Sequence, residues 1–236
     1  MTEPQTTIVI AGASSGFGTM TTRTLADAGH VVYAGMRDTD SHKSLAAAEA
    51  CSFAATHTVC LEAIEMNVSS HESVDHAVGE VLGKRERIDV VVHNAGQMVL
   101  GPLEASTPEQ LIEIYDTKAV STQHVNRAVL PHMRNREDGL LVWVGSSSTR
   151  GGAPPYLGPY FAATAAEDSI AVSCAAEVAR FGIESVIVAP GSSTTGTNHF
   201  AHAGPPGRRP DRRRLHHTIW RTRRTGVRAP GEPRPT

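Results

Sequence analysis

A turn written Gly12-Ala13-Ser14-Ser15-Gly16-Phe17-Gly18 separates a short β-branched run from a segment of helical period. Residues of these types at this spacing can hold a phosphate. Glycines at 12, 16 and 18 allow a tight turn, close approach of the backbone to a pyrophosphate, and intimate packing of helix on strand. The free N–H groups at the helix start then face the anion. Ser14, Ser15 and Phe17 fill the places between those glycines. A glycine turn can also join a strand to a helix with no ligand, so the rest of the chain must decide. Metal chemistry has no comparable constellation. Of the twelve histidines, His199-Phe200-Ala201-His202 and His216-His217 lack partner ligands at coherent spacing, and no HExxH occurs. No metal site is expected. Cys51, Cys60 and Cys174 are odd in number and fit no ligand or redox spacing, which predicts reduced, ordinary thiols.

The elements that must position the turn follow from periodicity. Apolar, β-branched runs at 7–11, 31–35, 59–68, 88–93, 140–145 and 183–189 alternate with helical-period segments ending near 28 and spanning 41–50, 70–82, 107–133 and 159–181. Runs of Val and Ile without polar alternation are strands buried on both faces, hence a parallel sheet covered by helices. The expectation is an α/β, three-layer, doubly wound Rossmann-type fold in a single domain over residues 1–203. With 40% apolar and 19% charged side chains, a chain of 236 residues can bury a sizeable core.

Residues 204–236 read differently. From Gly207 onward there are ten Arg, one Asp and one Glu, a net +8, against −10 for the residues before it. Such an Arg/Pro-rich tail has too little to bury to offset the entropy of ordering it and is expected to be disordered. It predicts salt-sensitive attraction to polyanions but no specific nucleic-acid recognition. The abrupt change in composition has the look of translation in a shifted reading frame. No apolar run reaches the roughly 18 residues of a membrane span, and Met1–Gln5 carries no export signal. A cytoplasmic protein with no membrane partner is expected.

The spacing GxxxGxG, together with His93-Asn94-Ala95-Gly96 after the fourth strand and Pro190-Gly191 with Thr194 after the sixth, resembles the short-chain dehydrogenase/reductase family from Thr7 to about Ala203. The resemblance implies a nicotinamide dinucleotide held by Gly12, Gly16 and Gly18, by Asn94, Ala95 and Gly96, and by Pro190, Gly191 and Thr194, with Asn67 and Val68 at the adenine. An NAD-preferring member would carry an acid where Met36 stands. Here Arg37 follows, and a guanidinium can pair bidentately with a 2′-phosphate, so NADP is expected over NAD. Asp38 could neutralise Arg37.

The family's active site combines a serine, a tyrosine, a lysine four residues after it, and an asparagine on the preceding long helix. Ser147 lies 13 residues before Tyr160, the family's separation. Tyr160 would exchange the hydroxyl proton of a carbonyl/secondary-alcohol pair, and Ser147 would hold the substrate oxygen. Two members are replaced. Thr164 stands where the lysine belongs, able to keep one ribose hydrogen bond but not the charge that lowers a phenol's pKa from about 10. Lys118 stands in place of the asparagine and could return part of that charge to a rearranged set of Ser147, Tyr160 and Lys118; alternatively it pairs with Asp116 or Glu113. Reduced turnover is expected, and a degenerate, non-catalytic nucleotide-binding protein is the alternative. A homo-oligomer is implied by the resemblance.

Overall fold

The computed structural model describes residues 5–39, 44–151, 155–191 and 203–207. Six strands form one parallel sheet: β1 (Thr7–Ala11), β2 (Val31–Met36), β3 (Leu61–Glu65), β4 (Val90–His93), β5 (Gly139–Val144) and β6 (Ile183–Val188), in the order β3-β2-β1-β4-β5-β6. The helices between them are α1 (Gly16–Asp27), α2 (Leu45–His57), α3 (His71–Arg85), α4 (Pro108–Tyr115), α5 (Ser121–Arg136) and α6 (Gly158–Val178). The chain winds outward from β1 to β3, returns to place β4 on the other side of β1, and winds outward again. That reversal opens a crevice at the carboxyl ends of β1 and β4, where doubly wound sheets bind ligands.

Alternation within each strand builds the two covering layers. Val9 and Ala11 of β1 face Val74 and Val81 of α3, Val125 and Val129 of α5, and Cys174 and Val178 of α6. Ile8 and Ile10 face the opposite way, toward Ala26 of α1 and Ala50 of α2. Each Val or Ile among them contributes about 1.5–3 kcal/mol when fully buried, so β1, covered on both faces, is a rigid floor for the turn that follows it. The outer strand is covered less well: Val186 and Val188 of β6 are 44% and 46% exposed.

Several boundaries differ from those read in the sequence. The segment expected as one helix over 107–133 stays helical but contains a π turn, Asp116–Val120, and runs on to Arg136. The Thr107 and Gln110 side chains form a capping box that starts α4. Within the π turn, Ser121 Oγ donates to Thr117 O (2.6 Å) and Thr122 Oγ1 to Ala119 O (2.7 Å), so hydroxyls occupy carbonyls at the widened turn. Helix α2, expected to end at 50, continues to His57, where Thr58 turns into the left-handed region at φ 55°. Strand β3, expected over 59–68, is confined to the five residues that pair with β2.

At the amino ends of the strands, Asp89 accepts from the Thr7 N–H at 2.8 Å and from Arg87 and Arg136. Burial raises the Asp89 carboxyl, but these donors together hold it below the usual carboxylate range. This knot fastens the rim opposite the crevice. Among the described residues no helix is long and apolar enough to cross a membrane.

Candidate functional site

The glycine turn crosses the carboxyl end of β1. Gly12 sits at φ +78°, and a Cβ there would stand 2.6 Å from Ala95 Cα. The Gly12 and Ala13 N–H groups donate to Gly35 O at 3.1 and 2.9 Å, tying the turn to β2. Gly18 begins the second half: a Cβ on it would run into Gly12 O and stand 2.7 Å from Asn94 Nδ2. Only glycine fits at either place. Asn94 closes the cradle from the β4 side, its Nδ2 donating to Gly12 O at 2.7 Å. Ser14 and Ser15 are exposed, and Ser15, at the N-cap of α1, makes no side-chain cap bond. The first N–H groups of a helix have no intrahelical acceptor. Together with two exposed hydroxyls they fit a pyrophosphate. Gly16 (φ +56°) opens α1, and Phe17 is half-buried beside it.

At the end of β2, Met36 is buried and Arg37 is exposed. Asp38 has φ 59°, and its N–H, like that of Thr39, donates to the Glu65 carboxylate at the end of β3 (3.2 and 2.7 Å). Burial raises Glu65, yet the Thr39 and Asp38 donors bring it below its ordinary value. Sequence reading missed Glu65; its only signal was an acid closing a strand otherwise rich in apolar residues. Asn67 Oδ1 accepts from the Ser69 N–H (3.2 Å) in a local turn, while Val68 is buried and its carbonyl meets His124 Nδ1 at 2.9 Å.

The catalytic candidates lie across the crevice. Ser147 begins a 3-10 turn, Ser147–Arg150, directly after β5; it is exposed, and its N–H donates to Pro190 O at 3.1 Å. One bond therefore joins the serine to the Pro190-Gly191 turn. Thr194 lies outside the described residues. Tyr160 stands in the first turn of α6, half-buried. Asp168, two turns further along α6, accepts from Thr149 Oγ1 (2.6 Å) and pairs with Arg150 (3.4 Å), fixing the serine turn against the tyrosine helix. Thr164 is fully buried, and its hydroxyl donates to Tyr160 O at 2.9 Å, within the helix.

Lys118 pairs with neither Asp116 nor Glu113. Carried inward by the π turn, its Nζ donates to Val144 O at 2.7 Å and lies 2.6 Å from Glu167 Oε2, with side-chain exposures of 3% and 1%. Its stem runs under Gly96, where a Cβ would stand 3.1 Å from Lys118 Cδ. Burial pushes Glu167 up to about 7 against the opposing Lys118 charge, with Asp168 adding to the rise. Sequence reading missed Glu167 too. The available signal was an acid among the alanines of α6, seven residues after Tyr160, in a chain with three lysines. Next to this pair, His93 is buried, its ring tilted 33° against Trp143 with centroids 4.3 Å apart, and it is bonded to Asn126 Oδ1 (3.1 Å). Burial lowers its pKa to about 3, so it stays neutral. Among the described residues no group of three or more His, Cys, Asp or Glu could hold a metal ion.

The first residues assigned to the tail, 204–207, lie against the domain. Gly204 bridges Val99, Gln110 Nε2 donates to Pro205 O (3.0 Å), and the Gly207 N–H donates to Gln110 Oε1 (2.7 Å). The rest of the tail, 208–236, lies outside the described residues.

Compared with known families, the chain matches the short chain dehydrogenases over residues 6–205. It is 31% identical over 189 residues to a 3-ketodihydrosphingosine reductase of Bacteroides thetaiotaomicron, covering 80% of this chain and 64% of that protein. It is 31% identical over 192 residues to retinol dehydrogenase 8 of Homo sapiens, covering 80% and 59%. The chain thus spans about three fifths of the length of these relatives. Among solved structures, a gluconate 5-dehydrogenase from Burkholderia cenocepacia in complex with NADP and tartrate superposes with a TM-score of 0.75 at 26% identity, covering 84% of this chain and 76% of that one. A glycine cradle at the β1–β4 crevice, a serine after β5 and a tyrosine opening α6 accompany these matches. The chain belongs to the short chain dehydrogenase family.

Proposed function

We propose that this protein is a nicotinamide-dependent oxidoreductase that interconverts a carbonyl and a secondary alcohol, with NADP preferred over NAD. The observation that carries the reading is the Ser147 N–H bond to Pro190 O, which sets the serine beside the turn expected at the nicotinamide, on the same rim as the glycine cradle. The dinucleotide supplies the hydride. Everything else falls to side chains of this chain. The N–H groups at the start of α1, with Ser14 and Ser15, receive the pyrophosphate. Arg37 is exposed at the end of β2, where its planar fork can meet a 2′-phosphate, while Glu65 binds the backbone of the next two residues. In reduction the Tyr160 hydroxyl gives its proton to the substrate oxygen as the carbonyl carbon accepts hydride. In oxidation the phenolate takes that proton back. Ser147 donates a hydrogen bond to the same oxygen and stabilises the charge that develops on it. Thr164 contributes no cation, and its hydroxyl donates to Tyr160 O. Lys118 is the positive charge nearest in role, held by Val144 O and Glu167.

These last two features also favour a second reading, in which the protein binds the dinucleotide without efficient chemistry. The two part on one experiment. Purified protein loaded with NADPH is mixed with a panel of ketones and aldehydes, and oxidation of the bound nucleotide is followed in wild type and Tyr160→Phe. The oxidoreductase reading expects turnover that Tyr160→Phe lowers about 10²–10⁴-fold, the range for a lost general acid. Equal rates in both proteins would refute it.

A further inference from the structure

The least ordinary feature of the interior is an ion pair in which each side chain is more than nine-tenths buried. Lys118 Nζ is fixed at two points, by Val144 O at 2.7 Å and Glu167 Oε2 at 2.6 Å. Glu167 Oε1 has no hydrogen-bond partner among the described residues, and Lys118 Nζ is the one donor within reach of Oε2. The carboxylate is therefore held by the lysine alone. A buried pair with so few supporting bonds gains little stability over two apolar side chains, which makes its location informative. Val144 is three residues before Ser147, Glu167 seven residues after Tyr160 on the same face of α6, and Gly96 of the β4 turn covers the lysine stem. The pair thus lies beneath the residues that would surround the nicotinamide end of a bound dinucleotide.

We infer that Glu167 is a positioning residue that holds the Lys118 ammonium under this site and sets the net charge presented there, and so the relative affinity for oxidised and reduced dinucleotide. The consequence for chemistry rests on the oxidoreductase reading. The physical link is simple: an oxidised nicotinamide ring carries a positive charge and a reduced ring carries none. With Glu167 ionised the couple is neutral and does not discriminate. With Glu167 protonated the couple carries the ammonium charge, which opposes the oxidised ring alone.

The groups around Glu167 define its titration. Lys118 faces it from the π turn and favours its ionised form, while burial and the neighbouring Asp168 oppose ionisation, bringing it to about 7. Asp168 is itself paired with Arg150 from the serine turn. Tyr160 lies on the same helix face. From β4, His93 is held neutral by burial and adds no second step near neutrality. As pH falls through about 7, Glu167 takes up a proton and the couple changes from neutral to positive.

The test is a pair of binding titrations, NADP⁺ and NADPH, on the full chain at about pH 6 and about pH 8, in wild type, Glu167→Gln and Glu167→Ala. In wild type the ratio Kd(NADP⁺)/Kd(NADPH) should rise as pH falls. Both variants should hold a high ratio at both pH values, on the order of tenfold above wild type at the higher pH, as expected for one charge at about 10 Å and an effective dielectric near 20. Should neither single variant fold, the Lys118→Met/Glu167→Met double variant, apolar and neutral at every pH, must show a low ratio independent of pH. A merely structural role would weaken both nucleotides by the same factor. A ratio unchanged within about twofold by Glu167→Gln, or pH dependence surviving in the double variant, overturns the inference while leaving the nucleotide reading intact. Failure of wild type to bind either nucleotide overturns both.

Discussion

On the β1–β3 side of the crevice, Ser14, Ser15 and Arg37 are exposed, and the turn is shaped by backbone bonds from Gly12 and Ala13 to Gly35 O. On the β4–β6 side the charged residues point inward: Lys118 and Glu167 are buried against each other, and Asp168 ties the serine turn to α6. The first region keeps its donors available to an anion from outside. The second satisfies charge with charge from within. A glycine cradle depends on backbone shape and tolerates no side chain, whereas a catalytic cation depends on one charge whose place can move if a counter-charge moves with it. In the proposed reading that difference accounts for a nucleotide cradle kept at Gly12, Gly16 and Gly18 beside a catalytic side rearranged at Thr164 and Lys118.

The comparison can be broken most severely at the cradle. Gly12→Val places a branched side chain at φ +78° against Ala95 and should weaken NADPH binding more than about 100-fold, a loss measurable by fluorescence titration. Next in size is repair of the catalytic side. Thr164→Lys combined with Lys118→Asn returns the ammonium to the tyrosine helix, near the Glu167 counter-charge, and should raise carbonyl reduction by about tenfold or more, equivalent to ~1.4 kcal/mol of transition-state stabilisation. A fall in kcat at unchanged NADPH affinity would show that Lys118 already does this work from its own position. Arg37→Ala should cost NADPH affinity by about tenfold and leave NADH affinity alone, sharpening the reading of the exposed β2 end.

The smallest effect is on stability. The Glu167 pKa is raised in the folded protein to about 7, so its contribution is fully present below its unfolded value and is lost as pH rises through about 7. Lys118→Met/Glu167→Met removes that dependence. Its Tm should gain on wild type by a few degrees between about pH 5 and about pH 8. His93, whose pKa is depressed to about 3, contributes stability that is present above its unfolded value near 6.5 and lost as pH falls toward 3. The Lys118 charge adds to the burial that depresses the His93 pKa, so the double variant should finish losing the His93 contribution at a somewhat higher pH than wild type.

Much of this was legible in the residues, for identifiable reasons. Strands covered on both faces have no polar alternation, so the Val and Ile runs of β1, β2 and β4 located the sheet. The spacing of Gly12, Gly16 and Gly18 pointed to a phosphate turn, and the resemblance to the family, with Ser147 13 residues before Tyr160, supplied the two catalytic candidates. The π turn at Asp116–Val120 was not legible, because helical periodicity does not register the hydroxyl-to-carbonyl bonds from Ser121 and Thr122 that accompany it. The partner of Lys118 was missed for a related reason. Glu167 is 49 positions away in sequence, and local spacing drew attention to Asp116 and Glu113 instead. Helix α2 ran seven residues further than expected because its alanine-rich stretch continues unbroken to His57, where Thr58 adopts a left-handed conformation.

In the proposed reading the nucleotide half is intact while the cation of the catalytic half has been relocated. Titration of the full chain with NADPH and NADH, followed by nucleotide fluorescence, tests it most directly. Saturable binding of both, with NADPH tighter by about tenfold, is the predicted result. Absence of saturable binding by either nucleotide would contradict it, because a cradle shaped by Gly12, Gly18 and Asn94 would then be packing between strand and helix and nothing more.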